Sequence, residues 1–276
     1  MDFYQKAEHI TRKWWLYALL FLVPGILPPY AGTGLGYWRR LSDFTWYVSD
    51  MMYYRKLTFG GIMPVMHLIV AVLFLALLIF KAKLGRAFPL LVSLHFIYIA
   101  FMQTGVRTEE YGLVIVSELL TWYIIVLSFW LWETWARKTE FTLRPEGIKP
   151  YWAIPLALFA FWDPDKICNL DPRYFIISYS PTSFCMMAPI YLTVLLFCYP
   201  RVNLPLLRVM SFIGIVVGVI TLVITFMKGP SDGIYWTLLH APLIIISVYA
   251  FVLGMKTRPQ HSTRPHCFHQ SRQNLA

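Results

Sequence analysis

Apolar residues along the chain fall into eight long runs separated by shorter polar stretches. A run of about eighteen or more apolar residues predicts a membrane-spanning helix, because the hydrocarbon core is about 30 Å thick and an α-helix rises about 1.5 Å per residue. The runs cover residues 14–31, 61–80, 87–106, 112–133, 151–162, 183–199, 206–227 and 234–255. The pattern therefore predicts an all-α fold, a polytopic transmembrane helix bundle of about eight spans, in one integral membrane domain over residues 1–256.

The fifth run, 151–162, is short for a full crossing, so we expect it to be tilted, extended by its neighbours or re-entrant. Tryptophans near the ends of runs, such as Trp14, Trp132 and Trp152, are typical of the headgroup level of a bilayer. The composition agrees: only 14% of the 276 residues are charged and the mean hydropathy is +0.57. A soluble protein carries about 25% charged residues, which it needs to cover its surface.

Charge is divided unevenly between alternate connections. If the N-terminus is cytoplasmic, about two thirds of the 24 Lys and Arg residues lie in cytoplasmic stretches, as the positive-inside rule requires. The net charge of +10 is then a property of a basic cytoplasmic face, which is expected to attract anionic lipids, and no nucleic acid is needed to explain it. Both termini are predicted to be cytoplasmic, with residues 257–276 forming a disordered tail.

The spacing of the runs suggests an internal duplication. The first four runs are joined by one long and two short connections, and so are the last four. Each half also begins with a lysine followed by aromatic residues, at 13–15 and at 149–152. Because each half contains four crossings, the halves 1–138 and 139–256 would be parallel copies related by an axis along the membrane normal. We take this parallel 4+4 repeat as a hypothesis.

Ionisable side chains inside the runs mark the candidate functional site. Such groups cost several kcal/mol in hydrocarbon, so they face a cavity, a partner or another polar group. The candidates are His67, His95, Glu118 and His240. Three of them would lie at a common depth, about 9 Å below the outer boundary, with His95 nearer the midplane. They either bind a substrate or carry protons, or each bonds to a neighbouring helix and fixes the packing.

Transport of a small solute is the favoured function, because these groups lie between helices and no catalytic motif occurs. One alternative is a membrane-embedded enzyme or redox subunit that holds haem or a metal and acts on a lipid or a quinone. Another is an accessory subunit without chemistry of its own, within a homo-oligomer or a membrane complex. The sequence identifies no cofactor, since no metal-ligand spacing such as HxxxH or HExxH falls inside a run.

Two connections carry further polar signals. Asp163, Asp165 and Asp171 lie in one outer connection, where their oxygens could hold a hard cation. They lack the turn glycine and terminal glutamate of a calcium-binding loop, so a solvated turn is the expected structure and a metal site is the alternative. The first outer connection, 32–60, mixes basic and aromatic residues, which is typical of a helix in the interface or of a lid over the outer mouth.

Overall fold

The computed structural model describes residues 3–32, 60–109, 112–142, 150–164, 171–227 and 230–257. These ranges are mostly helical. The helices are α1 (Phe3–Ile10), α2 (Trp14–Gly25), α3 (Met63–Phe80), α4 (Ala87–Thr104), α5 (Ser117–Ala136), α6 (Ala153–Trp162), α7 (Tyr174–Ile177), α8 (Phe184–Cys198), α9 (Leu204–Met227) and α10 (Pro230–Lys256). The strands are β1 (Tyr30–Ala31), β2 (Gly105–Thr108) and β3 (Gly112–Ile115), and short 3-10 turns lie at Gly60–Ile62, Lys81–Leu84 and Ser180–Thr182.

Within the described ranges, five helical stretches are long and apolar enough to cross a membrane. They are Met63–Leu84, Ala87–Thr104, Ser117–Ala136, Leu204–Val223 and Thr237–Lys256. A sixth span is formed if Tyr174–Thr182 and Phe184–Cys198, which are bent by 94°, count as one broken crossing. The helical fold is therefore confirmed, but eight full-length spans are not, because α2 and α6 are shorter than a full crossing in the described ranges.

Two of the runs contain extended backbone that the hydropathy pattern did not predict. The first run ends as a helix at Gly25, because Pro28 and Pro29 cannot continue one, and β1 follows. The fourth run begins as β3, where Leu113 to Val116 is rich in β-branched residues and favours a strand. Antiparallel pairing gives the sheet the order β1-β3-β2.

The helices alternate in direction, which places their ends on two faces. We call the first the terminal face: the first turn of α2 and of α9 and the last turns of α5, α8 and α10 meet there. Arg208 at the start of α9 bonds to the carbonyl oxygens of Glu8 and of Gly254, so both ends of the described chain lie on this face. The opposite end, which we call the sheet face, carries the strands and the break before α8.

Apolar side chains line the outside of the bundle. On α3, Leu68, Val72, Leu75 and Ile79 are each more than half exposed, at the spacing of one helical face. A soluble protein rarely exposes a contiguous apolar surface of this kind, because water would have to cover it. The exposed faces and the long apolar helices together fit a membrane-embedded protein.

The core of the bundle is α8, in which every residue except Phe197 is buried. Its Tyr191 lies among the rings of Phe88, Phe96 and Trp130, with centroids 5.6–6.5 Å apart. Because α8 is enclosed on all sides, the bend that precedes it also lies inside the protein rather than against lipid.

The two halves of the proposed repeat differ at this bend, since α8 follows a sharp bend whereas α3 continues directly from its 3-10 turn. The 4+4 repeat stays a hypothesis.

Candidate functional site at a broken helix

The main polar feature at membrane depth is the break between α7 and α8. Residues 178–183 form bends and a 3-10 turn, and Ser178 and Ser183 have extended backbones. Backbone that leaves the helix in a membrane must find internal partners, because hydrocarbon offers none. Such backbone is tolerated where protein encloses it or where it lines a cavity, and Ser178, Ser180 and Thr182 are all buried here.

His67, in the second turn of α3, holds the first part of the break. Its Nδ1 lies 2.9 Å from the Met63 carbonyl oxygen, and its Nε2 lies 3.1 Å from Ser178 Oγ and 3.2 Å from Ser180 Oγ. A carbonyl only accepts, so Nδ1 carries the ring proton and Nε2 is the acceptor. Ser180 donates its hydroxyl to the Phe161 carbonyl at 2.7 Å, which leaves the Ser178 hydroxyl as the donor to His67.

His95, on α4, holds the middle of the break. Its Nε2 lies 2.7 Å from the Pro181 carbonyl oxygen, and its Nδ1 lies 2.5 Å from the Tyr191 hydroxyl. By the same reasoning Nε2–H donates to Pro181 and Nδ1 accepts from Tyr191. The imidazole is therefore the neutral link between the backbone of the break and the centre of α8.

Gln103, two turns beyond His95, completes the set of contacts. Its Oε1 accepts from the backbone N–H of Phe184 at 2.7 Å and from the Tyr123 hydroxyl at 2.9 Å, while its Nε2 donates to Ser183 Oγ at 3.2 Å. The Phe184 N–H belongs to the first turn of α8 and has no partner inside its own helix. Gln103 thus caps α8 from a different helix.

The other two predicted site residues lie elsewhere. Glu118 is the second residue of α5, half-buried, and its carboxylate has no hydrogen-bond or ion-pair partner among the described residues. His240 is buried on α10, where the helix begins ten residues earlier, at Pro230. The structure joins neither of them to His67 or His95 by a hydrogen bond. The common depth expected for His67, Glu118 and His240 stays a prediction.

Asp163, Asp165 and Asp171 are the candidate ligands for a hard cation. Asp163 ends α6 in a left-handed conformation, and Asp165 lies outside the described residues. Both oxygens of Asp171 accept hydrogen bonds from Arg173, which lower the pKa of the Asp171 carboxyl. In the part of the chain that the structure describes, no three His, Cys, Asp or Glu side chains come together as a metal site would require. Haem ligation by His67 or His95 would first have to break a hydrogen bond at the ligating nitrogen.

Sequence reasoning missed two buried charged residues at the terminal face. Arg208, fully buried in the second turn of α9, donates to the carbonyl oxygens of Gly254 (2.8 Å) and Glu8 (3.1 Å) and to Thr11 Oγ1 (3.2 Å). Its Nη2 lies 3.4 Å from the Thr257 carbonyl oxygen and 4.0 Å from the Glu8 carboxylate. We call this set of contacts the Arg208 clamp, because it ties the N-terminal residues to the end of α10.

The second missed residue is Glu133, in the last turn of α5, which is fully buried. Its two oxygens accept from the backbone N–H of Thr139 and from Asn203 Nδ2, both at 2.6 Å. Asn203 in turn is the N-cap of α9, with Oδ1 accepting from the Leu206 N–H at 3.2 Å. One carboxylate thus joins the end of α5 to the start of α9.

The first outer connection, residues 33–59, and the tail, residues 258–276, lie outside the described residues, so the predicted lid and the predicted disorder are not tested. No family model matches the chain, and neither curated proteins nor solved structures show a significant similarity to it.

Proposed function

We propose that the chain is a proton-coupled transporter of a small solute, with the break before α8 as its moving part. The observation that carries the proposal is the broken crossing held by His67, His95 and Gln103 from two other helices. Transporters commonly bind substrates and coupling ions at discontinuous helices, where free backbone groups and helix termini are available. The same function was favoured by the sequence from its intramembrane histidines.

His95 supplies the chemical step that couples a proton to the break. Neutral His95 accepts the Tyr191 O–H at Nδ1, whereas an imidazolium has two N–H donors and no acceptor. Binding a proton therefore reverses this hydrogen bond: Nδ1–H donates to the Tyr191 hydroxyl oxygen, and the Tyr191 hydroxyl proton must turn to a new acceptor. Because the opposite ring nitrogen holds the Pro181 carbonyl, this change is transmitted to the backbone of the break.

His95→Gln is expected to abolish solute-driven proton movement with the fold intact, because an amide keeps one donor and one acceptor but does not titrate. The protein is reconstituted in liposomes loaded with a pH-sensitive dye, and small amino acids, sugars and carboxylates are added in turn outside. The wild type should move protons with at least one of these solutes.

Ser93→Ala is the matched control for His95→Gln, since Ser93 is buried on the same helix and its hydroxyl bonds to the Pro89 carbonyl of that helix. Equal proton movement by wild type and His95→Gln would contradict the coupling role, and no movement by the wild type with any solute would contradict transport.

We propose that the Glu118 carboxylate binds the solute or the proton that is transported with it. Its carboxylate lacks a described partner, and it lies two residues after Val116, whose N–H donates to the Thr104 carbonyl next to Gln103. Glu118→Gln should therefore remove solute flux while thermal stability is unchanged. Glu109→Gln, on the same face but outside the helices, should keep wild-type flux. Unchanged flux in Glu118→Gln would remove this residue from the transport path.

We further propose eight crossings, counting α2 and α6, with the terminal face in the cytoplasm. This face carries most of the basic residues in the described ranges: Lys6, Arg12, Lys13, Lys81, Lys83, Arg86, Arg137, Lys138, Arg201, Arg208 and Lys256. In a variant without the four native cysteines, Glu109→Cys should react with an impermeant maleimide on intact cells. Lys83→Cys should react only after permeabilisation. The reverse result would place both termini outside, and equal labelling from one side would contradict the alternating helices.

A further inference from the structure

A serine and a histidine are paired in the first part of the break. Ser178 directly follows α7, and its hydroxyl donates to His67 Nε2 over 3.1 Å. The opposite ring nitrogen, Nδ1, donates to the Met63 carbonyl oxygen at 2.9 Å. A nucleophile bonded to a base, with the base oriented by a third group, is the arrangement that activates a serine for attack on a carbonyl carbon. Here the Met63 carbonyl takes the orienting role that a carboxylate has in the Ser-His-Asp triad.

Two serines contact His67, and their other partners show which one is the nucleophile. Ser180 Oγ lies 3.2 Å from Nε2, but it donates its proton to the Phe161 carbonyl oxygen at 2.7 Å. The Ser178 hydroxyl lies 3.5 Å from that carbonyl oxygen, so the imidazole at 3.1 Å is the better acceptor for its proton. Of the two serines, Ser178 is therefore the one that can pass its proton to His67 as its oxygen attacks.

Donors for a developing negative charge lie beside the same oxygen. The Ser180 N–H lies 3.5 Å from Ser178 Oγ, and the Ser180 hydroxyl lies 3.2 Å from it. Attack on an ester carbonyl turns the carbonyl oxygen into an anion, which N–H and O–H donors stabilise strongly in a site shielded from water. Both serines are buried, so these donors are shielded in this way.

Apolar side chains surround the pair. The Phe161 ring lies 5.1 Å from the His67 ring and 6.4 Å from the ring of Phe175 on α7. Phe175 and the two isoleucines that follow it are 40–55% exposed, and Ser178 comes directly after them. The nucleophile thus lies one residue inside an exposed apolar edge, which favours a substrate with a hydrocarbon chain.

The position of the pair along α3 points to the same kind of substrate. This span begins at Met63, and His67 is four residues later, about 6 Å along the helix axis. The pair therefore lies near the edge of a hydrocarbon core about 30 Å thick rather than at its centre. Ester bonds join the tails of membrane lipids to their headgroups, so they occur at this edge.

We propose that Ser178 and His67 hydrolyse long-chain acyl esters that enter from the membrane. Ser178 Oγ attacks the ester carbonyl carbon, and its proton passes to His67 Nε2. The bond between the acyl carbon and the alcohol oxygen then breaks, and the alcohol leaves with that proton while the acyl group stays on Ser178. Water attacks the acyl carbon and gives one proton to Nε2. The fatty acid leaves as this proton returns to Ser178 Oγ.

The nucleophile is tested by treating the full chain, purified in detergent micelles, with a long-chain alkyl fluorophosphonate, which reacts with activated serine hydroxyls. One molecule should attach to each wild-type chain, and peptide mass spectrometry should locate it on Ser178. His67→Gln keeps an acceptor for the Ser178 hydroxyl but is not a base. Its labelling should be slower by at least about 100-fold, the lower end of what a general base contributes.

Ser93→Ala is the matched control, because Ser93 is equally buried but bonds to the Pro89 carbonyl rather than to a histidine. It should be labelled like the wild type, and thermal unfolding of each variant checks the fold. The wild-type result needs no variant: an unlabelled wild type, or a label on another residue, would overturn the proposal. Equal labelling of His67→Gln and the wild type would overturn the role of His67 as the base.

The substrate class is tested with para-nitrophenyl palmitate and para-nitrophenyl butyrate in the same micelles. The wild type should release nitrophenol faster from the palmitate ester, and Ser178→Ala should lose this release. Equal release by Ser178→Ala, or no release by the wild type from either ester, would contradict hydrolysis, and faster release from butyrate would contradict a substrate from the membrane. His95→Gln, which tests transport, should hydrolyse the palmitate ester at the wild-type rate, so either activity can be found without the other.

Discussion

Arg208→Met is expected to lower the free energy of unfolding by about 3–5 kcal/mol, the range found when one partner of a buried charge network is removed. Methionine fills much of the same space, so the loss arises from polar groups rather than from a cavity. The Gly254 carbonyl loses its side-chain donor, and the buried Glu8 carboxylate loses its nearby positive charge. The measurement is equilibrium unfolding of the purified protein in mixed detergent micelles, followed by tryptophan fluorescence.

Arg201→Met is the matched control for this prediction. Arg201 also bonds to a glutamate, with Nη1 2.9 Å from Glu140 Oε2, but both side chains are about half exposed. Exposed pairs of this kind contribute about 0–1 kcal/mol, because water already solvates both charges. If Arg201→Met and Arg208→Met destabilised the protein equally, burial of the clamp would not be the source of its effect.

The Arg208 clamp also predicts where the structure loosens first. Arg208 reaches the Glu8 carbonyl and the Thr11 hydroxyl, so its loss should release the chain between α1 and α2 before it affects α8. Hydrogen exchange in Arg208→Met should therefore rise most at residues 8–13 and at the end of α10. A uniform rise across the bundle would instead indicate a general loss of packing.

The sequence predicted the helical membrane fold because hydropathy reports directly on which segments avoid water. Each of the eight apolar runs contains a helix, but hydropathy alone cannot distinguish a helix from a strand within an apolar stretch. The strand at Gly112–Ile115 and the early end of α2 depended instead on β-branched residues and on prolines. The early end of α2 shortens the first span, whereas the short α6 agrees with the short apolar run 151–162.

The candidate site was predictable only in part. An ionisable group in an apolar run needs a partner, and this principle drew attention to His67 and His95, which the structure places beside the break. Their partners could not be inferred, since Ser178 lies 111 positions from His67 and Pro181 lies 86 positions from His95. Periodicity describes the faces of one helix at a time. The break before α8 is bonded by residues of two other helices, α3 and α4, so periodicity could not identify these contacts.

Arg208 and Glu133 were overlooked because each lies close to the end of an apolar run, where a charge normally faces water. One local signal could have located Arg208. Asn203 followed by Leu204 and Pro205 is a typical helix start, with Asn as the N-cap and Pro within the first turn. Starting α9 there places Arg208 in its second turn rather than at the edge of the run that begins at residue 206.

Glu133→Gln is the second large expected effect, a loss of about 2–4 kcal/mol in the free energy of unfolding. The carboxylate accepts two hydrogen bonds, from the Thr139 N–H and from Asn203 Nδ2. Glutamine has almost the same shape but offers only one acceptor oxygen, and its NH2 group would face one of these two donors. Glu140→Gln serves as the control, because that side chain is half exposed and its ion pair is worth about 0–1 kcal/mol.

The geometry around Glu133 also specifies how the loss can be reversed. Adding Asn203→Asp to Glu133→Gln exchanges donor and acceptor: the glutamine NH2 can donate to the new carboxylate, and its oxygen can still accept from Thr139. The second oxygen at position 203 continues to accept from the Leu206 N–H, and a negative charge is favourable at a helix N-terminus. The double variant should therefore be more stable than Glu133→Gln, while Asn203→Asp alone should be destabilised by two facing carboxylates. Absence of this rescue would mean that the hydrogen-bond pairing is not what joins α5 to α9.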